Sequence, residues 1–215
     1  MIRIICLLIG YCFGLFQTSY FYGKLHGVDI RTMGSGNAGT TNALRSLGAK
    51  AGLITLAGDV CKCIAAVVLI SLLFGRSHAD ILPLLKICTA FGVILGHDFP
   101  FYMNFRGGKG IAAAGGMILS FGDWRLIVLC IGLFILIFFT THYVSLASLT
   151  LSGSFFLAIL YLALTGGIPL EKGPLTEMVV LVGIITVMAF VQHRGNIDRL
   201  VHGCERKTYL KKQGG

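Results

Sequence analysis

Residues 51–74 read AGLITLAGDVCKCIAAVVLISLLF, and this apolar run predicts a helix that crosses a membrane. At about 1.5 Å per residue the run exceeds the roughly 30 Å thickness of a bilayer's hydrocarbon core. Only Asp59 and Lys62 interrupt it, and because they are three positions apart they share a helix face, where they can form an ion pair. The sequence leaves open whether that pair only fixes helix packing or also supports a neighbouring anion site.

The whole chain has the composition of a membrane protein. Of its 215 residues 55% are hydrophobic and 13% are charged, and the mean hydropathy is +0.83. These values predict one all-α polytopic membrane domain over residues 1–215. We expect no disulfide, no metal and no cofactor, because most of the cysteines lie inside apolar runs: Cys6, Cys12, Cys61, Cys63, Cys88 and Cys130.

The basic residues predict the orientation of the chain in the bilayer. The net charge is +9, but the positive side chains occupy short loops and the tail, so the expected partner is a lipid bilayer and not a nucleic acid. Residues 24–50 and the tail from His193 are both rich in lysine and arginine. By the positive-inside rule both segments should be cytoplasmic, which puts the N-terminus outside and the C-terminus in the cytoplasm.

Parity between these segments predicts the number of crossings. One crossing each comes from residues 1–22, 51–74, 81–95 and 175–191. Residues 111–164 must add one crossing or three, and they are far too long for one. We therefore predict about seven transmembrane helices, with breaks at residues 121–125 and 140–143. Residues 111–120 would then form a short helix of small residues that can pack closely.

The first polar loop, residues 34–45, reads GSGNAGTTNALR and has the composition of an anion-binding site. Its glycines let backbone N–H groups form a concave nest, and a helix that begins near Thr41 would add the positive end of its dipole. Hydrogen-bonding side chains and one cation surround this nest: Ser35, Asn37, Thr40, Thr41, Asn42 and Arg45. A dinucleotide-binding loop is disfavoured because no strand precedes the glycines, whereas a purely structural turn remains an alternative.

Two further polar segments should lie on the same side of the membrane. Residues 96–110 read GHDFPFYMNFRGGKG, in which Pro100 stops a helix and the glycines around Lys109 form a second cationic loop facing the first. Residues 193–200 read HRGNIDRL. On a helix His193 and Asn196 share a face with Arg199 beside them, so their side chains can converge on one site. A helix that simply lies on the membrane surface is the alternative.

Together the three polar segments resemble the acyl-phosphate:glycerol-3-phosphate acyltransferase (PlsY) family of bacterial membranes. Gln192 and Cys204 depart from the family's usual residues, but neither change removes a motif group. The resemblance implies transfer of a fatty acyl group from acyl phosphate to the 1-hydroxyl of glycerol 3-phosphate. The products would be lysophosphatidic acid and phosphate, in the first step of phospholipid synthesis. It also implies a site on the cytoplasmic face of the bacterial inner membrane.

The same resemblance implies roles for individual residues. The catalytic residues would be Ser35, Arg45, Lys109, His193 and Asn196. The substrate- and phosphate-binding residues would be Gly36, Asn37, Gly39, Thr41, Asn42, His97, Gly107, Gly108 and Arg199. We expect Ser35 to bind phosphate and not to act as a nucleophile, because no Ser-His-Asp arrangement is evident nearby.

Two other functions remain open at this point. His193 and Asp198 satisfy the H-x-x-x-x-D motif of acyltransferases that use acyl-CoA or acyl carrier protein. On a continuous helix, however, positions five apart lie on different faces. A transporter of a phosphorylated solute also fits cationic, glycine-rich interruptions between helices. The placement of all three motifs on one side of the membrane argues against alternating access.

Overall fold

The computed structural model describes residues 1–209 and consists of helices joined by short connections. Lys211 and Lys212, which belong to the basic tail, lie outside the described residues. In chain order the helices are α1 (Ile2–Gly14), α2 (Thr18–Leu25), α3 (Thr40–Leu47), α4 (Ala49–Phe74), α5 (Leu82–Asp98), α6 (Ile111–Phe121), α7 (Trp124–Thr141), α8 (Val144–Leu164), α9 (Lys172–Gln192) and α10 (Arg194–Val201). Single 3₁₀ turns lie at Ile30–Thr32, Ala79–Ile81 and Phe101–Met103.

The predicted all-α polytopic fold is confirmed. Within residues 1–209, six helical stretches are long and apolar enough to cross a membrane, and the shorter α6 is also apolar. These six and α6 correspond to the seven segments predicted from the sequence. The breaks before α7 and between α7 and α8 lie at the predicted positions. The first crossing differs in one respect, because it is divided into α1 and α2 at residues 15–17.

Helices α1 and α5 pack with their backbones in contact. A Cβ atom added at Gly10 would lie 2.0 Å from the Thr89 carbonyl oxygen, and one at Gly92 would lie 2.1 Å from the Leu7 carbonyl oxygen. One turn further along, a Cβ atom added at Gly14 or Gly96 would likewise lie 2.2 Å or 2.3 Å from a backbone carbonyl oxygen of the other helix. Each helix therefore carries a G-x-x-x-G pair that faces the other helix, an arrangement that permits very close approach in membranes.

Replacement of Gly92 by alanine should therefore destabilise the protein by about 1–3 kcal/mol, because the added methyl group forces α1 and α5 apart. The matched control is Gly132→Ala in α7, where an added Cβ meets no atom within 4 Å. We expect the midpoint of thermal unfolding in detergent to fall for Gly92→Ala only. Equal midpoints for the two variants would contradict the close packing of α1 on α5.

The Asp59–Lys62 pair is buried in the middle of α4 and joins three helices. The Lys62 ammonium lies 2.9 Å from the Asp59 carboxylate, and the two residues are 7% and 1% exposed. Lys62 also donates to the Phe16 carbonyl oxygen at 2.7 Å and to the His97 Nδ1 atom at 2.8 Å. The pair thus holds the break between α1 and α2 and the end of α5. It therefore fixes helix packing and orients His97. That it also supports a neighbouring anion site stays a prediction.

The short helix α6 is anchored inside the bundle. Gly116 lies against the backbone of α4, since a Cβ atom there would be 2.5 Å from the Val60 carbonyl oxygen. At the other end the Lys86 ammonium donates to the Ser120 carbonyl oxygen at 3.4 Å. Gly110, with a positive φ of 69°, precedes the first residue of α6. This packing places the loop that carries Lys109 at a defined position against α4 and α5.

Candidate active site

The first polar loop is held in place by Asn42, which is 4% exposed. The Asn42 Oδ1 atom accepts from the Ser35 backbone N–H at 2.9 Å, while its amide nitrogen donates to the Ile30 and Met33 carbonyl oxygens. Asn42 therefore shapes the loop, and its role in binding substrate stays a prediction. The Ser35 residue itself remains exposed.

Helix α3 begins at Thr40, with Gly39 as its N-cap, close to the predicted start at Thr41. The first-turn N–H groups of a helix have no acceptor in their own helix, so this end of α3 carries free donors and a partial positive charge. The N–H groups of Ser35 and Gly36 are already engaged, by Asn42 and by the Met33 carbonyl oxygen. The donors at the start of α3 therefore remain candidates for the predicted anion site, whereas the Ser35 and Gly36 N–H groups do not.

The second loop is tied to the end of α5. The Gly107 and Gly108 N–H groups donate to the Asp98 and His97 carbonyl oxygens, both at 3.0 Å. The His97 imidazole lies directly behind Gly108, where a Cβ atom would be 1.9 Å from the Nε2 atom. His97 is 2% exposed. The structure thus shows a structural role for three residues that were predicted to bind substrate. Gly107 and Gly108 fasten the loop to α5, and His97 packs behind it.

The two glycine loops contact each other, as predicted. The Gly107 carbonyl oxygen accepts from the Ala38 N–H at 3.4 Å and from the Asn37 side-chain amide at 3.3 Å. Asn37 is thereby a bridge between the loops. This contact places the N-terminus of α3 beside the loop that carries Lys109.

The third segment completes the site through Asn196. The Lys109 ammonium donates to the Asn196 Oδ1 atom, and the Asn196 amide nitrogen donates to the Glu205 Oε1 atom at 2.6 Å. Glu205 also accepts from the Arg199 Nε atom at 2.7 Å and from the Ser145 hydroxyl group at 3.0 Å. Asn196 and Arg199, predicted to converge on one site, thus both bond to Glu205, and Asn196 also accepts from Lys109.

Arg45 reaches the same region from the last turn of α3. Its Nη2 group donates to the Arg206 carbonyl oxygen at 2.8 Å and to the Thr208 hydroxyl oxygen at 2.5 Å. Glu205 and Arg199 lie near enough to act electrostatically on both Arg45 and Lys109. Three cations from α3, the second loop and α10 thus surround a single glutamate.

The ionisation of these groups reflects their partial burial. Burial lowers the pKa of Lys109 and of Arg45 below their usual values, and the nearby Glu205 carboxylate opposes the shift at both residues. Burial would raise the pKa of Glu205, but hydrogen bonds from Asn196, Arg199 and Ser145 outweigh it and hold that pKa below its usual value. Glu205 is therefore ionised at neutral pH. The cations still outnumber it, so the site is suited to bind an anion.

His193 is neutral at physiological pH. It is 4% exposed, and burial, followed by the positive charge of Lys109, lowers its pKa to about 4. The Nδ1 atom lies 2.7 Å from the Ala189 carbonyl oxygen. A carbonyl oxygen can only accept, so the proton is on Nδ1 and the Nε2 atom is left as a hydrogen-bond acceptor.

Sequence reasoning assigned no role to three residues that complete the site. Glu205 follows the third polar segment, and neither Ser145 nor Thr208 belongs to any of the three segments. Ser145 lies in the first turn of α8, sixty positions from its partner Glu205. No periodicity or spacing signal connects residues so far apart, so only the folded chain reveals them.

Comparisons with known proteins find similar proteins over almost the whole chain. The family model described as glycerol-3-phosphate acyltransferase matches residues 4–203. The glycerol-3-phosphate acyltransferase of Clostridioides difficile (strain 630) is 36% identical over 211 residues, which cover 98% of this chain and 97% of that protein. The enzyme of the same name from Bacillus subtilis (strain 168) is 34% identical over 214 residues, covering 97% of this chain and 98% of that protein.

Two solved structures are similar to the whole fold. The crystal structure of PlsY, an integral membrane glycerol 3-phosphate acyltransferase, in its glycerol 3-phosphate form has a TM-score of 0.80 and 30% identity, with 96% of each chain covered. Its lysophosphatidic acid form has a TM-score of 0.78 and 30% identity, with 97% of this chain and 96% of that chain covered. The similarity therefore extends over both the sequence and the arrangement of helices.

Proposed function

We propose, from the premise that this chain belongs to the glycerol-3-phosphate acyltransferase family, that its acyl donor is an acyl phosphate. As a member of that family the chain is an integral membrane acyltransferase of phospholipid synthesis. The proposed reaction joins a fatty acyl group to the 1-hydroxyl of glycerol 3-phosphate. It yields lysophosphatidic acid and inorganic phosphate.

The observation that carries this proposal is the cluster of Arg45, Lys109 and Arg199 around Glu205, with Lys109 on the loop that contacts the segment before α3. An acyl phosphate and glycerol 3-phosphate both carry a phosphate group, so the site has to hold two anions close together. Cations and backbone N–H groups are the donors that bind phosphate best. A carrier-bound thioester donor would present no phosphate at its reacting carbonyl group.

The chemistry asks little more of the protein than positioning and charge stabilisation. The acceptor hydroxyl oxygen forms a bond to the acyl carbonyl carbon, and the bond from that carbon to the phosphate oxygen breaks. The proton of the hydroxyl group leaves with the phosphate, which is a good leaving group and can itself accept the proton. Fixed cations stabilise the negative charge that develops on the oxygens, and a neutral His193 can accept a hydrogen bond from a substrate hydroxyl group.

The H-x-x-x-x-D alternative receives no support from the geometry of α10. His193 is buried and hydrogen-bonded to the Ala189 carbonyl oxygen. The Asp198 side chain, by contrast, is 71% exposed, and its Oδ1 atom lies 3.3 Å from the His202 Nδ1 atom. The two residues of the motif therefore do not act on each other. This separation favours a mechanism without a His-Asp pair.

A groove beside the site could hold the fatty chain. An open cavity of about 570 Å³ lies between α1 and α4. Apolar side chains dominate its lining, which consists of Cys12, Phe13, Phe16, Gly58, Cys61, Lys62 and Ala65. Lys62 connects it to His97, and thus to the back of the Lys109 loop. We propose that the acyl chain lies between helices on this side, with its carbonyl group toward the cations.

We place the site at the cytoplasmic face of a bacterial inner membrane. The support is the charge pattern: residues 24–50, residues 96–110 and the tail from His193 carry most of the lysine and arginine residues. Contacts between the two glycine loops and from Lys109 to Asn196 bring these segments together. The positive-inside rule then assigns these segments to the cytoplasm.

A donor assay tests the proposed function. Purified protein in detergent is mixed with radiolabelled glycerol 3-phosphate and one of three donors: acyl phosphate, acyl-CoA or acylated acyl carrier protein. The labelled lysophosphatidic acid that forms is measured. We expect product from acyl phosphate alone, and only background from a Lys109→Ala control. Product from acyl-CoA or acyl carrier protein, with none from acyl phosphate, would reject the donor while leaving the family assignment intact.

A further inference from the structure

The segment that follows α10 crosses the candidate site. Residues 204–208 are here called the C-terminal strap. The strap carries Glu205 at the centre of the site and ends at Thr208, which is 3% exposed. The Thr208 backbone N–H donates to the His142 carbonyl oxygen at 2.9 Å, which fixes the strap to the turn between α7 and α8. Lys207 lies over the Tyr143 ring, 5.7 Å from its centroid, and adds a second contact to the same turn.

The strap holds the guanidinium group of Arg45. Both hydrogen bonds that Arg45 makes within residues 1–209 go to the strap: one to the Arg206 carbonyl oxygen and one to the Thr208 hydroxyl oxygen. They occupy the Nη2 group, and an arginine has five N–H donors, so three donors stay available for a ligand. Without these contacts a long side chain on an eight-residue helix would sample many rotamers.

The geometry of His142 explains how the strap is placed. His142 ends α7 with a positive φ of 60°, which turns the chain sharply into α8. Its carbonyl oxygen accepts from the Thr208 N–H of the strap, and its imidazole lies against the ring of Tyr209, the residue that follows the strap, with the ring centroids 4.8 Å apart. The turn, the strap and Arg45 thus form a chain of contacts from α7 to α3.

We propose that Thr208 is a positioning residue that sets the orientation of Arg45 for phosphate binding. This inference rests on the proposed function, in which Arg45 binds a substrate phosphate. Thr208 does not itself touch substrate: its hydroxyl oxygen accepts a charge-assisted hydrogen bond and so selects one rotamer of Arg45. The strap therefore organises the site twice, with Glu205 holding Asn196 and Arg199, and Thr208 holding Arg45.

The first test removes only the hydroxyl group of Thr208. Thr208→Val keeps the shape of the side chain and the backbone bond to His142, and we expect kcat/KM for glycerol 3-phosphate to fall about 10-fold, in line with loss of a hydrogen bond to a charged group. Thr208→Ser keeps the hydroxyl group and should remain within about 3-fold of the parent. The control is Thr176→Val, because the Thr176 hydroxyl group donates to the Lys172 carbonyl oxygen within α9.

The second test asks whether Thr208 acts through Arg45. In an Arg45→Lys enzyme, which lacks the guanidinium fork, adding Thr208→Val should change kcat/KM by less than about 2-fold. A further full 10-fold loss in that background would overturn the proposal, as would parent activity for Thr208→Val alone. If Thr208→Val does not fold, Thr208→Ala with the same pair of backgrounds gives the same comparison.

The role of Arg45 in the proposed function and the positioning role of Thr208 can fail separately. If Arg45→Lys keeps parent activity, the role of Arg45 in the proposed function is wrong, and the inference about Thr208 falls with it. If Arg45→Lys is impaired but Thr208→Val is not, the proposed function stands and only the positioning role is rejected. The midpoint of thermal unfolding is measured for every variant, and a loss of activity with an unchanged midpoint excludes a general structural defect.

Discussion

Lys109→Ala is expected to lower kcat/KM by about 10²–10³-fold, as the loss of one fixed donor to a developing negative charge does in other enzymes. Lys109 is the cation that the second glycine loop carries into the centre of the site, and it donates to Asn196. Its removal takes away a positive charge that no neighbour can replace, because Arg45 and Arg199 are held by the strap. Initial rates with acyl phosphate and glycerol 3-phosphate measure the effect.

Lys86→Ala is the matched control for this prediction. Lys86 lies in α5, and its ammonium group caps the end of α6 at Ser120, away from the cation cluster. Its loss should cost stability and leave kcat/KM within about 3-fold of the parent, because a single hydrogen bond contributes only about 1 kcal/mol. Comparable losses for the two lysines, at equal amounts of folded protein, would mean that Lys109 has no special part in the reaction.

Ser35→Ala is expected to lower kcat, because the Ser35 hydroxyl group is proposed to donate a hydrogen bond to phosphate. The loss of transition-state stabilisation should be about 2–4 kcal/mol. Ser35 is exposed at the mouth of the site, on a loop whose backbone Asn42 fixes. A phosphate ligand in this position stabilises charge but forms no covalent bond. Mass spectrometry after mixing with acyl phosphate should therefore find no acyl group on Ser35.

Steady-state kinetics distinguish the two roles of Ser35. Direct transfer requires both substrates to be bound together, so double-reciprocal plots should intersect, whereas an acyl-enzyme would give parallel lines and early release of phosphate. Ser77→Ala, in the exposed turn between α4 and α5, is the control and should be silent. An acyl-Ser35 that glycerol 3-phosphate discharges would reject direct transfer, and His193, neutral with a free Nε2 atom, would then become the candidate general base.

The sequence was enough to predict the class of fold and which polar segments meet in space. The lengths of the apolar runs and the breaks at residues 121–125 and 140–143 agree with the helices observed. Close contact between the two glycine loops and the convergence of Asn196 and Arg199 on one site were predicted as well. These features depend on local properties, namely hydropathy over a helix length and the side chains that share one helical face, and a sequence displays such properties directly.

The tertiary structure decided which groups face the substrate and which hold the site together. Asn42 and His97 belong to polar motifs as much as Ser35 and Lys109 do, yet the fold engages the first two in contacts behind the loops. A hydrogen-bonding group is free for a ligand only if no neighbour in space has already engaged it. That depends on contacts between residues far apart in the chain, such as Thr208 with Arg45, and no local pattern of the sequence determines them.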